Sequence, residues 1–130
     1  MSPSLLDTSF VIAAAAGDVL LPDEAAISVI TLGELRAGVL RARDNAVRAE
    51  RLRRLNDARS LFVAVAVDEV VAEHYGRALA LARDERRGED AADLLILATA
   101  AATDTVLYTL DSGQAKLARR LELAVHGPGA

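Results

Sequence analysis

The sequence predicts an α/β fold built on a mainly parallel sheet, and three observations carry that prediction. Short apolar runs rich in Val, Ile and Leu alternate along the chain with longer stretches whose apolar residues recur at helical spacing. One of those stretches, DAADLLILATAAA, is too apolar on every side to lie at a surface. Finally, with 130 residues, 52% hydrophobic and only 3% aromatic, the core must consist of Ala, Leu, Val and Ile, which pack helices closely on a sheet.

The elements follow in order. Ser4-Leu5-Leu6 forms a short strand ending at Asp7, and after Thr8-Ser9 the run from Phe10 to Ala16 forms a helix closed by Gly17. Ala25 to Ile30 is a second strand candidate. It gives way at Thr31 to a helix with Leu32, Leu35 and Val39 on its apolar face. A polar helix from Asp44 to Ser60 turns Val47, Leu52 and Leu55 inward, so the two helices make a hairpin-like insertion. Leu61 to Val67 reads as a strand because its valines outweigh its alanines. From Asp68 a helix carrying Val70, Val71, Tyr75, Leu79 and Leu81 runs to a loop between Arg83 and Glu89. Ala91 to Ala102 is expected to be the most buried helix. Thr105 to Leu110 makes a strand, Ser112 to Leu121 a closing helix, and Leu123 to Val125 a last short strand. A single domain over residues 1–126 is expected, with a frayed tail at 127–130.

Composition excludes several chemistries. The absence of cysteine rules out disulfides, thiol catalysis and thiolate zinc sites, and fits a reducing compartment. The start MSPSLLDTSF has no basic region before an apolar stretch, and no apolar run approaches the roughly 20 residues of a membrane span. A soluble, cytoplasmic protein without a membrane role is the expectation. A net charge of −4 argues against nucleic acid held mainly by bulk positive charge, and no Trp is available for base stacking. The charge is nonetheless uneven. Between Arg36 and Arg59 eight arginines face only Asp44, Glu50 and Asp57. This segment is either a phosphate-contacting face or a solvated surface laced with ion pairs such as Glu50 to Arg54 at i, i+4.

Four acids lie where an α/β sheet would place a site. Asp7 ends the first strand, Glu34 follows the second, Asp111 ends the penultimate one, and Asp93 opens the buried helix. Ligands of open α/β sheets bind at the carboxyl ends of the strands, so these four can meet in one pocket. Gathered carboxylates repel unless a cation neutralises them, and oxygen-only ligands suit Mg²⁺ or Mn²⁺. Helix capping is the competing account. Thr31-Leu32-Gly33-Glu34 has the form of a capping box, and Asp90-Ala91-Ala92-Asp93 and Asp111-Ser112-Gly113-Gln114 are similar N-terminal patterns. Capping does not explain why Asp93 stands beside Leu94, Leu95 and Ile96, where burial of a lone carboxylate is costly. Asp90 is a secondary candidate, Thr8 or Ser9 a possible partner of water or phosphate, and Arg36 a possible phosphate or carboxylate anchor. His74 in mid-helix and His126 near the end are too far apart in the chain's organisation to suggest a metal-free paired-histidine ribonuclease. A phosphoacceptor receiver domain would need paired acids after the first strand and a late-strand lysine, whereas Lys116 falls within a helix; an Asp-x-Asp phosphatase fails at Ser9.

The segments LLDTSFVI, ISVITLGELRAG, DAADLLILATA and VLYTLDSGQAKLA resemble, in order and spacing, the signature segments of PIN-domain ribonucleases, in particular the VapC-like toxins of bacterial toxin–antitoxin pairs. The resemblance spans nearly the whole chain. It implies a PIN-like three-layer α/β/α sandwich and a metal-dependent endoribonuclease that uses Mg²⁺ or Mn²⁺. It also implies a homodimer, an RNA substrate and a cognate VapB-like antitoxin whose C-terminal segment occupies the active-site groove. Asp7, Glu34 and Asp93 match the family acids, and Asp111 falls where the last segment carries Asn or Asp; all four are then catalytic and metal-ligating. That last segment departs from the family pattern, for no acid-Phe pair follows and Gln114 stands where another acid occurs. The alternative is a non-catalytic PIN-like module that binds RNA or protein.

Overall fold

The structure is a computed structural model that describes residues 3–129. Five short strands, β1 (Ser4–Leu6), β2 (Ala25–Ser28), β3 (Val63–Val65), β4 (Val106–Tyr108) and β5 (Val125–His126), form one sheet in the order β3-β2-β1-β4-β5. Every pairing is parallel. Between them run α1 (Thr8–Ala15), α2 (Val29–Leu40), α3 (Asn45–Leu61), α4 (Glu69–Asp84), α5 (Ala91–Thr103) and α6 (Ser112–Arg120).

Alternation along β1 divides the core, because successive side chains point to opposite faces. Leu6 packs with Phe10 and Val11 of α1, Leu35 and Val39 of α2 and Leu55 of α3. Leu5 packs with Ala78 of α4, Leu94 and Leu97 of α5 and Leu117 of α6. A parallel sheet covered on both faces therefore separates two helical layers, the three-layer α/β/α sandwich expected. Six residues of α5 are buried, more than in any other helix, as its apolar sequence requires.

Local differences have physical causes. Helix α2 begins at Val29, with buried Ser28 accepting the Ile30 amide as N-cap, so the second strand ends two residues earlier than its β-branched run suggests. Leu52 was expected inside but is 38% exposed. The buried stripe of α3 runs instead through Leu55 and Ala58. Changing Leu52 to Gln should therefore alter stability by no more than about 0.5 kcal/mol in urea titrations, as at other surface sites.

The end of the chain is not frayed as far as residue 129. His126 belongs to β5, and the Arg119 guanidinium donates to the carbonyls of Gly127, Pro128 and Gly129. Gly127 is needed there: a Cβ would stand 2.9 Å from the Thr109 carbonyl oxygen. Arg119→Ala is expected to cost about 1–2 kcal/mol by the same titration, since charge-assisted bonds to half-buried carbonyls are lost.

Candidate active site

Asp7, Glu34 and Asp111 sit at the carboxyl ends of strands or in the helices that leave them, whereas Asp93 lies in the first turn of α5, which follows α4 and leads into β4. Asp7 directly follows β1, the central strand, and its amide donates to the Tyr108 carbonyl of β4 at 2.9 Å. Its side chain is buried and serves two ends at once: Oδ1 accepts the Phe10 amide, capping α1, and the Ser9 hydroxyl at 2.6 Å. The Ser9 oxygen in turn accepts the Leu110 amide, which ties the turn after β1 to the turn after β4. Burial pushes the Asp7 carboxyl above its ordinary pKa; hydroxyl bonds from Ser9 and Thr109 and the Phe10 amide oppose this, and the Asp111 charge adds to it.

Asp111 is the N-cap of α6, with Oδ1 accepting the amides of Gly113 and Gln114 at 2.8 and 3.1 Å. Its own amide donates to the Thr109 hydroxyl. Asp93 occupies the first turn of α5, while Asp90 is that helix's cap and accepts the Asp93 amide. The half-buried Asp93 carboxylate receives no hydrogen bond among the described residues. Its pKa is pushed up to about 6, first by burial and then by the negative charges of Asp90, Asp111, Glu34 and Asp7. Acids from three other elements, together with Asp90 of its own helix, thus act on one carboxyl group.

For Glu34 the structure removes the competing account. Thr31 is not a cap but a fully buried residue within α2, so Glu34 lies beyond the first turn and no capping box forms. Instead the Thr8 hydroxyl donates to Glu34 Oε1 and lies 3.1 Å from the Thr31 hydroxyl. Asp7 and Asp111 do cap helices, and both also belong to the cluster.

Two contributors were not anticipated. Thr109 presents one hydroxyl to both Asp7 and the Asp111 amide. Gln114 is 1% exposed, and its Nε2 donates to the Asp93 carbonyl at 2.8 Å, which fixes the start of α5 against α6. The only sequence signal for Thr109 was its place two residues before an acid; Gln114 stood out as the last residue of a capping pattern and at a position where the family carries an acid, but its contact with Asp93 left no local trace. Arg36 is half-buried on α2, and His74 is half-buried on α4, a helical position with no connection to the acids.

These residues fit a hard divalent cation by their chemistry. All four are oxygen donors, and hydroxyls or amides orient Asp7, Glu34 and Asp111 from behind, as outer partners orient metal ligands. Among the described residues no three acids or histidines are grouped closely enough to hold a metal ion between them. Mg²⁺ does not demand such a group, since it keeps several waters and binds through one or two carboxylates.

Beside Glu34 a groove of about 620 Å³ runs between α2 and α3, lined by Arg41, Arg43 and Arg51 as well as Asp44. Arg51 also donates to the Gly38 carbonyl and Arg48 to that of Ala42, so part of this basic segment holds the helical hairpin together. Among the described residues no helix is long and apolar enough to cross a membrane.

The chain is similar to Ribonuclease VapC5 of Mycobacterium tuberculosis, with 35% identity over 87% of this chain and 86% of that one. It is 41% identical to Ribonuclease VapC8 of the same species over 74% of this chain and 88% of the relative. Its fold superposes on the crystal structure of VapBC-5, a member of the VapBC family of toxin–antitoxin systems from Mycobacterium tuberculosis, with a TM-score of 0.82, 32% identity and 98% of both chains covered. The family model of the PIN domain matches residues 4–120, and the chain belongs to the PIN-domain family.

Proposed function

We propose that this protein is a metal-dependent endoribonuclease, the toxin of a toxin–antitoxin pair, with Asp7, Glu34, Asp93 and Asp111 as its catalytic and metal-holding acids. The observation that supports this most is the setting of Asp93, where burial and then the charges of neighbouring Asp90 and of Asp111, Glu34 and Asp7 from remote segments raise its pKa to about 6. Proteins keep such repulsion where a positive ligand offsets it. The names of the VapC relatives supply the substrate class, RNA.

Mg²⁺ or Mn²⁺ held by these acids would supply an activated water and neutralise charge on the leaving oxygen. The chain's own residues prepare that chemistry. Ser9 and Thr109 hold Asp7 in one rotamer, Thr8 holds Glu34, and the α6 amides hold Asp111, leaving the unbonded Asp93 carboxylate free to engage. Arg41 and Arg43 offer phosphate contacts along the groove that reaches Glu34, which answers how an acidic protein admits a polyanion.

The likeness to the VapBC-5 toxin–antitoxin structure supports a VapB-like antitoxin as the natural partner; a homodimer acting in the cytoplasm completes the proposal. Purified protein is expected to cut single-stranded RNA with Mg²⁺ or Mn²⁺ and to stop in EDTA. A protein that binds RNA but leaves it intact under every divalent ion would instead be a binding module.

A further inference from the structure

Aromatic residues are scarce in this chain, yet three rings meet beside the acids. The register across the sheet aligns Leu6, Tyr108 and His126, so Tyr108 and His126 follow one another on the face that α1 covers. The His126 imidazole stacks on the Tyr108 ring with centroids 4.5 Å apart and planes within 23°. Phe10 braces Tyr108 from the side, edge-on at 5.3 Å. His126 ends β5, the edge strand, and is exposed, whereas Tyr108 is half-buried. The platform sits at the level of the residue preceding Asp7, two strands away, roughly 10 Å at about 4.8 Å per strand. Its backbone is held to the site, because the Thr109 amide donates to the His126 carbonyl.

We infer that the stacked His126–Tyr108 pair is a nucleobase platform, on which an unpaired base of the RNA strand lies while a neighbouring phosphate reaches the acids. This rests on the proposed ribonuclease function and adds to it a contact on the base rather than on the backbone. An exposed ring already backed by a second ring loses little freedom when a base stacks on it, and such stacking is sequence-tolerant.

The test is binding of a fluorescein-labelled single-stranded RNA dodecamer in EDTA, followed by anisotropy, alongside kcat and KM for its cleavage in Mg²⁺. His126→Ala is expected to bind about tenfold more weakly and to raise KM with kcat little changed, with an unaltered melting temperature. His126→Phe should restore binding. A dodecamer of abasic nucleotides should bind wild type and His126→Ala alike, an equality that a mere packing role would not produce. Equal binding of the normal dodecamer by wild type and His126→Ala overturns the platform, and is the result expected if the stack instead receives a protein segment. Loss of binding in His126→Ala with no cleavage by wild type would overturn the ribonuclease proposal and leave the platform standing.

Discussion

Asp7→Asn and Asp93→Asn are each expected to lower kcat for RNA cleavage by roughly a thousandfold while leaving the fold intact. The magnitude follows from the several kcal/mol that a bound cation contributes to a phosphoryl transition state, at tenfold per 1.36 kcal/mol. Retention of the fold follows from what the two side chains do for stability. Asn caps a helix as well as Asp, so α1 keeps its N-cap, and a buried carboxyl whose pKa is raised gains nothing from its charge. The substituted proteins should therefore melt at or slightly above the wild-type temperature without metal. Single-turnover cleavage assays with circular dichroism on the same samples decide the matter: undiminished cleavage by both variants would remove these acids from the mechanism.

The second large effect links metal, pH and stability. Asp93 has a folded pKa near 6, above the ordinary 3.8 of an aspartate, so the folded chain binds more protons than the unfolded one between those values. Stability of the metal-free protein then falls as pH rises from about 4 to 6, the sign set by the raised pKa. Solvent screening of a half-exposed group limits the loss to on the order of 1 kcal/mol. Mg²⁺ should reverse it. At a hundred times its Kd the ion adds about 2.7 kcal/mol, or about 10 °C in melting temperature, at pH 7.5. At pH 5 protonated Asp93 competes with the ion and the gain should shrink. In Asp93→Asn most of the metal gain and the Asp93 share of the pH slope should disappear, leaving the slope of the same sign that the raised Asp7 carboxyl contributes. Melting curves that ignore Mg²⁺ at pH 7.5 would refute a cation site at these carboxylates.

Much of this molecule was legible in its sequence, because element type follows from periodicity. The all-apolar α5, the strand ending at Asp7 and the helix stop at Gly17, which adopts φ +82°, all appear where patterning put them. Element ends were less legible. Ser28 competes with Thr31 for the cap of α2; both are fully buried, but Ser28 accepts the Ile30 amide while the Thr31 hydroxyl meets that of Thr8 across 23 positions, a tertiary fact. The four candidate acids stood out in the sequence because each follows a strand or opens a helix. Their supports did not: Thr8 reaches Glu34 across 26 positions and Gln114 reaches Asp93 across 21, and no local pattern records such contacts. The tail misled because Gly and Pro signal disorder, whereas Arg119 satisfies its carbonyls one by one.

The central position of β1 has a consequence for how the protein is made and lost. Asp7 is held by Tyr108 and Thr109, about a hundred residues later, so the two halves of the carboxylate site meet only when the most distant pairing in the sheet closes. Such non-local pairings form slowly and late. Amide exchange at Asp7 should accordingly proceed only through global unfolding, and a chain caught half-folded by a chaperone or protease carries scattered acids without a site. The proposed cation site is thus expected to form all-or-none with the fold.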